Sequence, residues 1–172
     1  MPPKIAISLP VRNVKHSQMH NLSRHGILPP GIHEMDLEGV GRLFGGTSHR
    51  LRLFGTLKKY VQQLQTLQIG TALIINGSFV MACVEMPKDI DVILVMPKEW
   101  DMTIEKIPTE YYNLLSPVEN KTEFAEIHPF LAAESSPLYH SWIRQFSHIK
   151  DDWHFMFDIP YNISKGIVRV TL

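Results

Sequence analysis

The sequence predicts one α/β domain, a central sheet of three or four strands flanked by helices. Three observations carry this. Segment 47–70 has the three-and-four spacing of a helix with one apolar face. Two short, nearly continuous apolar runs follow at 72–75 and 90–96, the pattern of strands buried on both faces. The chain has 172 residues, within the roughly 100–200 residues usual for one domain.

In chain order, residues 1–30 read as an extended N-terminal arm and 31–172 as the domain. Residues 4–9 could form a short strand that Pro10 ends, and 13–24 are polar without period. Pro29-Pro30-Gly31 breaks the chain, and Asp36 is placed to cap a short helix that Gly45-Gly46 stops. Thr47 or Ser48 caps the long helix, whose buried stripe is expected to be Leu51, Phe54, Leu57, Val61, Leu64 and Leu67. Gly70 is expected to close it in a left-handed conformation. After the strand at 72–75, Asn76-Gly77-Ser78 forms a turn, 79–84 a short helix, Pro87-Lys88 a second turn and 90–96 a strand closed by Pro97. A helix is expected over 107–116 with Tyr111, Tyr112 and Leu115 inward. Segment 124–130 reads as a strand that Pro129 confines to an edge. Ser136-Pro137 opens a helix to about residue 149, with proline in the first turn, where its missing N–H costs nothing. Segment 166–170 alternates as a final strand.

Composition narrows function by exclusion. Lysine plus arginine and aspartate plus glutamate are 17 each, so no global charge draws the chain to nucleic acid or an anionic membrane. The single cysteine, Cys83, excludes an intramolecular disulfide framework and suits a reducing compartment. No apolar run approaches 18 residues and the start lacks a signal-peptide core, so a soluble, cytoplasmic protein without membrane contact is expected. Nine histidines are present, yet none forms the spaced pair around a glutamate that a zinc hydrolase helix needs.

Chemistry concentrates at 77–91. Asp89 and Asp91 are two apart at the start of a strand, and the pleat sends both carboxylates to one face. Two such anions repel unless a cation lies between them, and oxygen ligands favour Mg2+ or Mn2+. On spacing alone, a pair of solvated carboxylates is the commoner outcome. Gly77 permits close backbone approach after the first strand, and Ser78 adds a hydroxyl and an N–H. Cys83 reads as a core or half-buried thiol and Trp142, Phe146 and Trp153 as packing; His128, which strand alternation puts on one face with Glu126 and within reach of substrate or metal, reads more often as a hydrogen-bonded structural residue. Arg50, Arg52, Lys58 and Lys59 read as a solvated basic helix face, with partner or RNA contact the lesser alternative.

Taken together, Ile74-Ile75-Asn76-Gly77-Ser78 followed by Asp89-Ile90-Asp91-Val92-Ile93-Leu94-Val95 resembles the DNA polymerase β-like nucleotidyltransferase superfamily. Within it, the chain resembles small uncharacterised bacterial proteins of the minimal nucleotidyltransferase type. That likeness extends to 26–33, to Arg50-Leu51-Arg52-Leu53-Phe54 and to 165–170, from about residue 25 onward. The resemblance implies that Gly77 and Ser78 hold the phosphates of a nucleoside triphosphate. It implies further that Asp89 and Asp91 bind Mg2+ or Mn2+, and that a third carboxylate comes from a later strand. Glu126 is the candidate for that third catalytic and metal-binding carboxylate, a glutamate where the superfamily usually has aspartate. Glu123 is its neighbour and competitor. An NMP would then pass from an NTP to a protein, RNA or small-molecule acceptor, within a toxin–antitoxin or phage-defence module with a protein partner. The alternative is a degenerate nucleotidyltransferase fold acting as an antitoxin or complex subunit by protein–protein contact.

Overall fold

The computed structural model describes residues 22–100, 108, 111–117 and 122–172. The expected strand at 4–9, most of the polar 13–24 segment and part of the helix at 107–116 lie outside those residues.

The long amphipathic segment forms helix α2, Ser48–Thr66, and its N-cap is Thr47, whose hydroxyl accepts from the Arg50 N–H. Before it, α1 (Leu37–Phe44) is capped by Asp36, which accepts from the Gly39 N–H at 2.6 Å. The buried stripe of α2 is Leu53, Phe54, Leu57, Tyr60, Val61 and Leu64. Leu51, expected inside, is 55% exposed, and Arg50 is buried in its place at 3%. The helix ends at Thr66, before Gly70, and Gln68 adopts the positive φ that follows the C-cap. Gly70 is also left-handed, but it serves the turn into the sheet, where an added Cβ would meet Leu94.

The sheet has five strands where three or four were expected, in the order β1-β5-β2-β3-β4. The strands are β1 (Ile32–Glu34), β2 (Ala72–Asn76), β3 (Ile90–Met96), β4 (Ile127–Ala133) and β5 (Ile167–Thr171). The added strand is β1, three residues long and too short to show a period. It gains its status only by pairing in parallel with β5. Pairing of β2 with β3 and with β5 is antiparallel, and β4 is a parallel edge strand beside β3. Pro129 is accommodated on that edge, as its missing N–H requires.

Because β2 and β3 alternate between two covered faces, both read as unbroken apolar runs. Leu73, Ile75, Val92, Leu94 and Met96 pack against α1 and α2, while Ala72, Ile74, Ile93 and Val95 meet Tyr139 and Phe146 on the other side. Those two aromatics belong to α4 (Pro137–Ser147), which Ser136 caps and Pro137 opens. The expected helix to residue 149 stops at Ser147, and a separate α5 follows (Asp151–Met156). Within the described part of 107–116, α3 is the short helix Tyr112–Leu115, which buries Leu114 and Leu115. Tyr60 crosses from α2 to donate its hydroxyl to the Leu114 carbonyl at 2.8 Å. The expected helix at 79–84 is instead a 3-10 turn, Gly77–Val80.

The packed unit also begins earlier than residue 31. Ile27 and Leu28, expected in the arm, are buried, and Gly166 donates its N–H to the Leu28 carbonyl. Among the described residues no helix is long and apolar enough to cross a membrane.

Candidate functional site

Strand directions bring the chemistry to one end of the sheet. Strand β2 runs into that end and finishes at Asn76, while β3 and β4 start from it. The registers Asn76↔Asp91 and Asp91↔His128 place these three residues side by side across three strands. Asp91 alternates with buried Ile90 and Val92, so its carboxylate lies on the face that α4 covers.

Gly77 joins the turn to the aspartates. Its φ is +75°, a left-handed conformation that costs other residues about 1–2 kcal/mol. A Cβ there would stand 2.5 Å from Oδ2 of Asp91, so only glycine lets the loop close on this carboxylate. Sequence spacing could suggest that loop and aspartates cooperate; contact between them is a tertiary result.

Asp89, Asp91 and His128 each offer one ligand atom, and these atoms lie within 4.8 Å of one another. His128 Nδ1 is 3.5 Å from Oδ2 of Asp89 and 3.8 Å from Oδ1 of Asp91. The three side chains are 33%, 30% and 35% exposed, open enough for a ligand to reach them. Burial raises the Asp91 pKa and the adjacent Asp89 charge raises it further, with His128, Lys150 and Lys165 opposing. A carboxylate held up in this way gains from a cation, and the mixed oxygen and nitrogen donors fit a divalent metal ion.

Glu126 is not brought into that cluster. It lies in the turn before β4, and both carboxylate oxygens accept from Nη1 of Arg52 on α2, at 2.6 and 2.8 Å. The expectation that Glu126 and His128 share a face assumed continuous strand alternation. Because β4 starts at Ile127, the glutamate turns toward α2 while His128 turns toward the aspartates. On the basic face of α2, Arg52, Lys58 and Lys59 are exposed as expected, and only Arg50 departs from it. Arg52 pairs with Glu126, Lys58 with Glu38, and Arg50 points inward.

Arg50 and Lys165 are the important residues that sequence reading missed. The Arg50 guanidinium donates to the carbonyls of Phe44, Phe79 and Met81 at 2.9, 2.8 and 2.6 Å, and twice to that of Val84, at 3.1 and 2.7 Å. It thus holds the backbone that leaves Gly77-Ser78 against α2. The clue was present: Arg50 is three, four and seven residues before buried Leu53, Phe54 and Leu57, on the apolar stripe.

Lys165 is 2% exposed, and its ammonium donates to Oδ1 of Asn76 and, at 2.7 Å, to the Phe146 carbonyl. Burial pulls its pKa down to about 8, against the attraction of Asp91. It fixes the end of β2 from below, and no local pattern announces a lysine inside a core. Cys83 is half-buried, as expected, and burial raises its thiol pKa. Phe130, Trp142 and Phe146 pack on one another beneath the sheet.

Fold and site together define an α+β protein carrying a strand-end Asp-Asp-His cluster closed by a glycine turn. The chain belongs to a family of unknown function, DUF6932, which matches residues 20–171. No curated protein and no solved structure matches it.

Proposed function

We propose that the chain is a metal-dependent nucleotidyltransferase that moves an NMP from an NTP to a protein, RNA or small-molecule acceptor. The observation that carries this is the closure of left-handed Gly77 onto the Asp91 carboxylate, which merges turn and aspartates into one site. Ser78, the next residue of the same turn, carries a hydroxyl and an N–H, groups of the kind that bind the phosphates of a triphosphate. Arg50 and Lys165 keep that turn in place through the backbone and Asn76. Asp89, Asp91 and His128 would hold a divalent ion, Mg2+ or Mn2+, which supplies charge neutralisation at the phosphates and Lewis-acid activation. The acceptor hydroxyl needs a base; the ionised carboxylates are the nearest candidates, and in-line displacement would release pyrophosphate. Glu126, tied to Arg52, takes no part in this scheme.

Labelled ATP, GTP, CTP and UTP, each with Mg2+ or Mn2+, test the reading with and without the products of neighbouring genes. Label should enter a macromolecular or small-molecule product, fall to background in Asp89→Asn and Asp91→Asn, and persist in Glu126→Gln. Label incorporation unchanged in the double aspartate variant would overturn it. The diversion of Glu126 favours a second reading, a catalytically silent nucleotidyltransferase-fold antitoxin or complex subunit acting by contact. Neutralisation of a partner that survives in the Asp89→Asn, Asp91→Asn double variant is the expected sign of that role.

A further inference from the structure

The residue paired with Asp91 on the neighbouring strand is His128, so the third donor at the acidic pair is an imidazole and not the Glu126 carboxylate expected from the sequence. We infer that His128 is a direct metal ligand through Nδ1, and that it tunes the site toward a first-row transition ion, with Mn2+ preferred over Mg2+. This rests on the metal-site reading of the proposed function and goes beyond it by naming the ligating atom and the choice between Mn2+ and Mg2+ that follows.

Geometry carries the argument. At 3.5 and 3.8 Å, the separations from Nδ1 to the two carboxylates exceed the roughly 2.7–3.2 Å of a nitrogen–oxygen hydrogen bond. Donors about 2.0–2.2 Å from a shared ion, at right-angled to tetrahedral spacing, stand about 3.0–3.5 Å from each other. The observed 3.5 and 3.8 Å lie at and just above that spacing, and all three ligand atoms are within 4.8 Å of one another, so an inward movement on the order of 1 Å brings them onto one ion. Register holds His128 there: it pairs with Asp91 in the β3–β4 ladder, and Ile127 and Leu131 anchor the opposite face of its strand. The sheet register thus fixes which residue stands beside Asp91 and on which face its side chain lies. Ligand type then sets selectivity. Mg2+ favours oxygen donors and retains its waters, whereas an imidazole nitrogen is a good ligand for transition ions.

The test uses the full chain stripped of metal by chelation. Mn2+ and Mg2+ affinities come from calorimetry, and pulsed electron paramagnetic resonance of the Mn2+ complex reads nitrogen coupling from a bound imidazole. Wild type should show that coupling and a Mn2+ preference over Mg2+. His128→Asp should lose the coupling and narrow the preference by about tenfold or more, since even outer-shell changes weaken metal sites by that much. His128→Gln should lose the coupling as well, and guards against a folding defect caused by a third carboxylate. Circular dichroism confirms that both variants fold. Saturable Mn2+ binding that needs Asp89 and Asp91 but shows no nitrogen coupling would overturn the role of His128 and leave the acidic site standing. Absence of saturable metal binding in wild type would overturn both.

Discussion

Removing the Arg50 side chain should destabilise the protein strongly, on the scale of deleting a core side chain. In Arg50→Ala, the carbonyls of Phe44, Phe79, Met81 and Val84 lose a charged donor that now reaches them at 2.6–2.9 Å. Met81 keeps one partner, because its carbonyl also accepts from the Val84 N–H. The Phe44 and Phe79 carbonyls become stranded in a region where Arg50 is 3% exposed, and the half-buried Val84 carbonyl loses both of its bonds from Arg50. A buried acceptor left unpaired costs about 1–3 kcal/mol. Water entering the vacated volume recovers part of this, and the guanidinium no longer has to be desolvated. A net loss of about 4 kcal/mol follows, a large share of the roughly 5–15 kcal/mol that holds a typical domain. Arg50→Lys should lose about half as much, since one ammonium cannot span carbonyls that a planar fork serves together. Urea unfolding followed by tryptophan fluorescence, with linear extrapolation to water, gives both values. A loss below about 1 kcal/mol in Arg50→Ala would refute the claim that these hydrogen bonds hold the turn, since that is the scale of one ordinary bond.

Gly77→Ala should cost about 1–2 kcal/mol in the same assay, because alanine meets both the left-handed φ of +75° and the Asp91 carboxylate. Its Mn2+ affinity should fall in parallel, and unchanged affinity would separate the turn from the aspartates. Asp91→Asn should stabilise the metal-free protein at neutral pH while abolishing metal binding. The raised Asp91 pKa means that the folded state disfavours its charge, so stability falls as pH rises through the window between its ordinary and raised values. Amide replacement removes that loss, and equal thermal midpoints at neutral pH would count against it. For Lys165, the folded pKa of about 8 lies below its ordinary 10.5, so the unfolded chain binds more protons between them and stability rises with pH across that window. The wild-type minus Lys165→Met difference in unfolding free energy should climb by about 3 kcal/mol at most from pH 8 to 10.5. A flat difference would show that the ammonium is not strained by burial.

The sequence by itself determined whatever depends on neighbours along the chain. Caps at Asp36, Thr47 and Ser136 were legible because each offers its side-chain oxygen to an N–H three residues on. Strand β3 was read at its full length, 90–96, because burial on both faces leaves an unbroken apolar run. Asp89, Asp91 and Gly77 were visible as candidates for the same local reason. Tertiary structure decided the remainder, since those features depend on what lies opposite rather than what lies adjacent. Strand β1 exists only through β5. The place of Arg50 on the apolar stripe is legible from spacing, but its charge can be buried there only because carbonyls of residues 44 and 79–84 converge on it, and those come from elsewhere in the chain. Glu126 and His128, two residues apart, separate because β4 begins between them, sending one to Arg52 and the other to the aspartates. Period-two alternation governs a side chain only inside a strand, and where a strand begins is set by its partner's register.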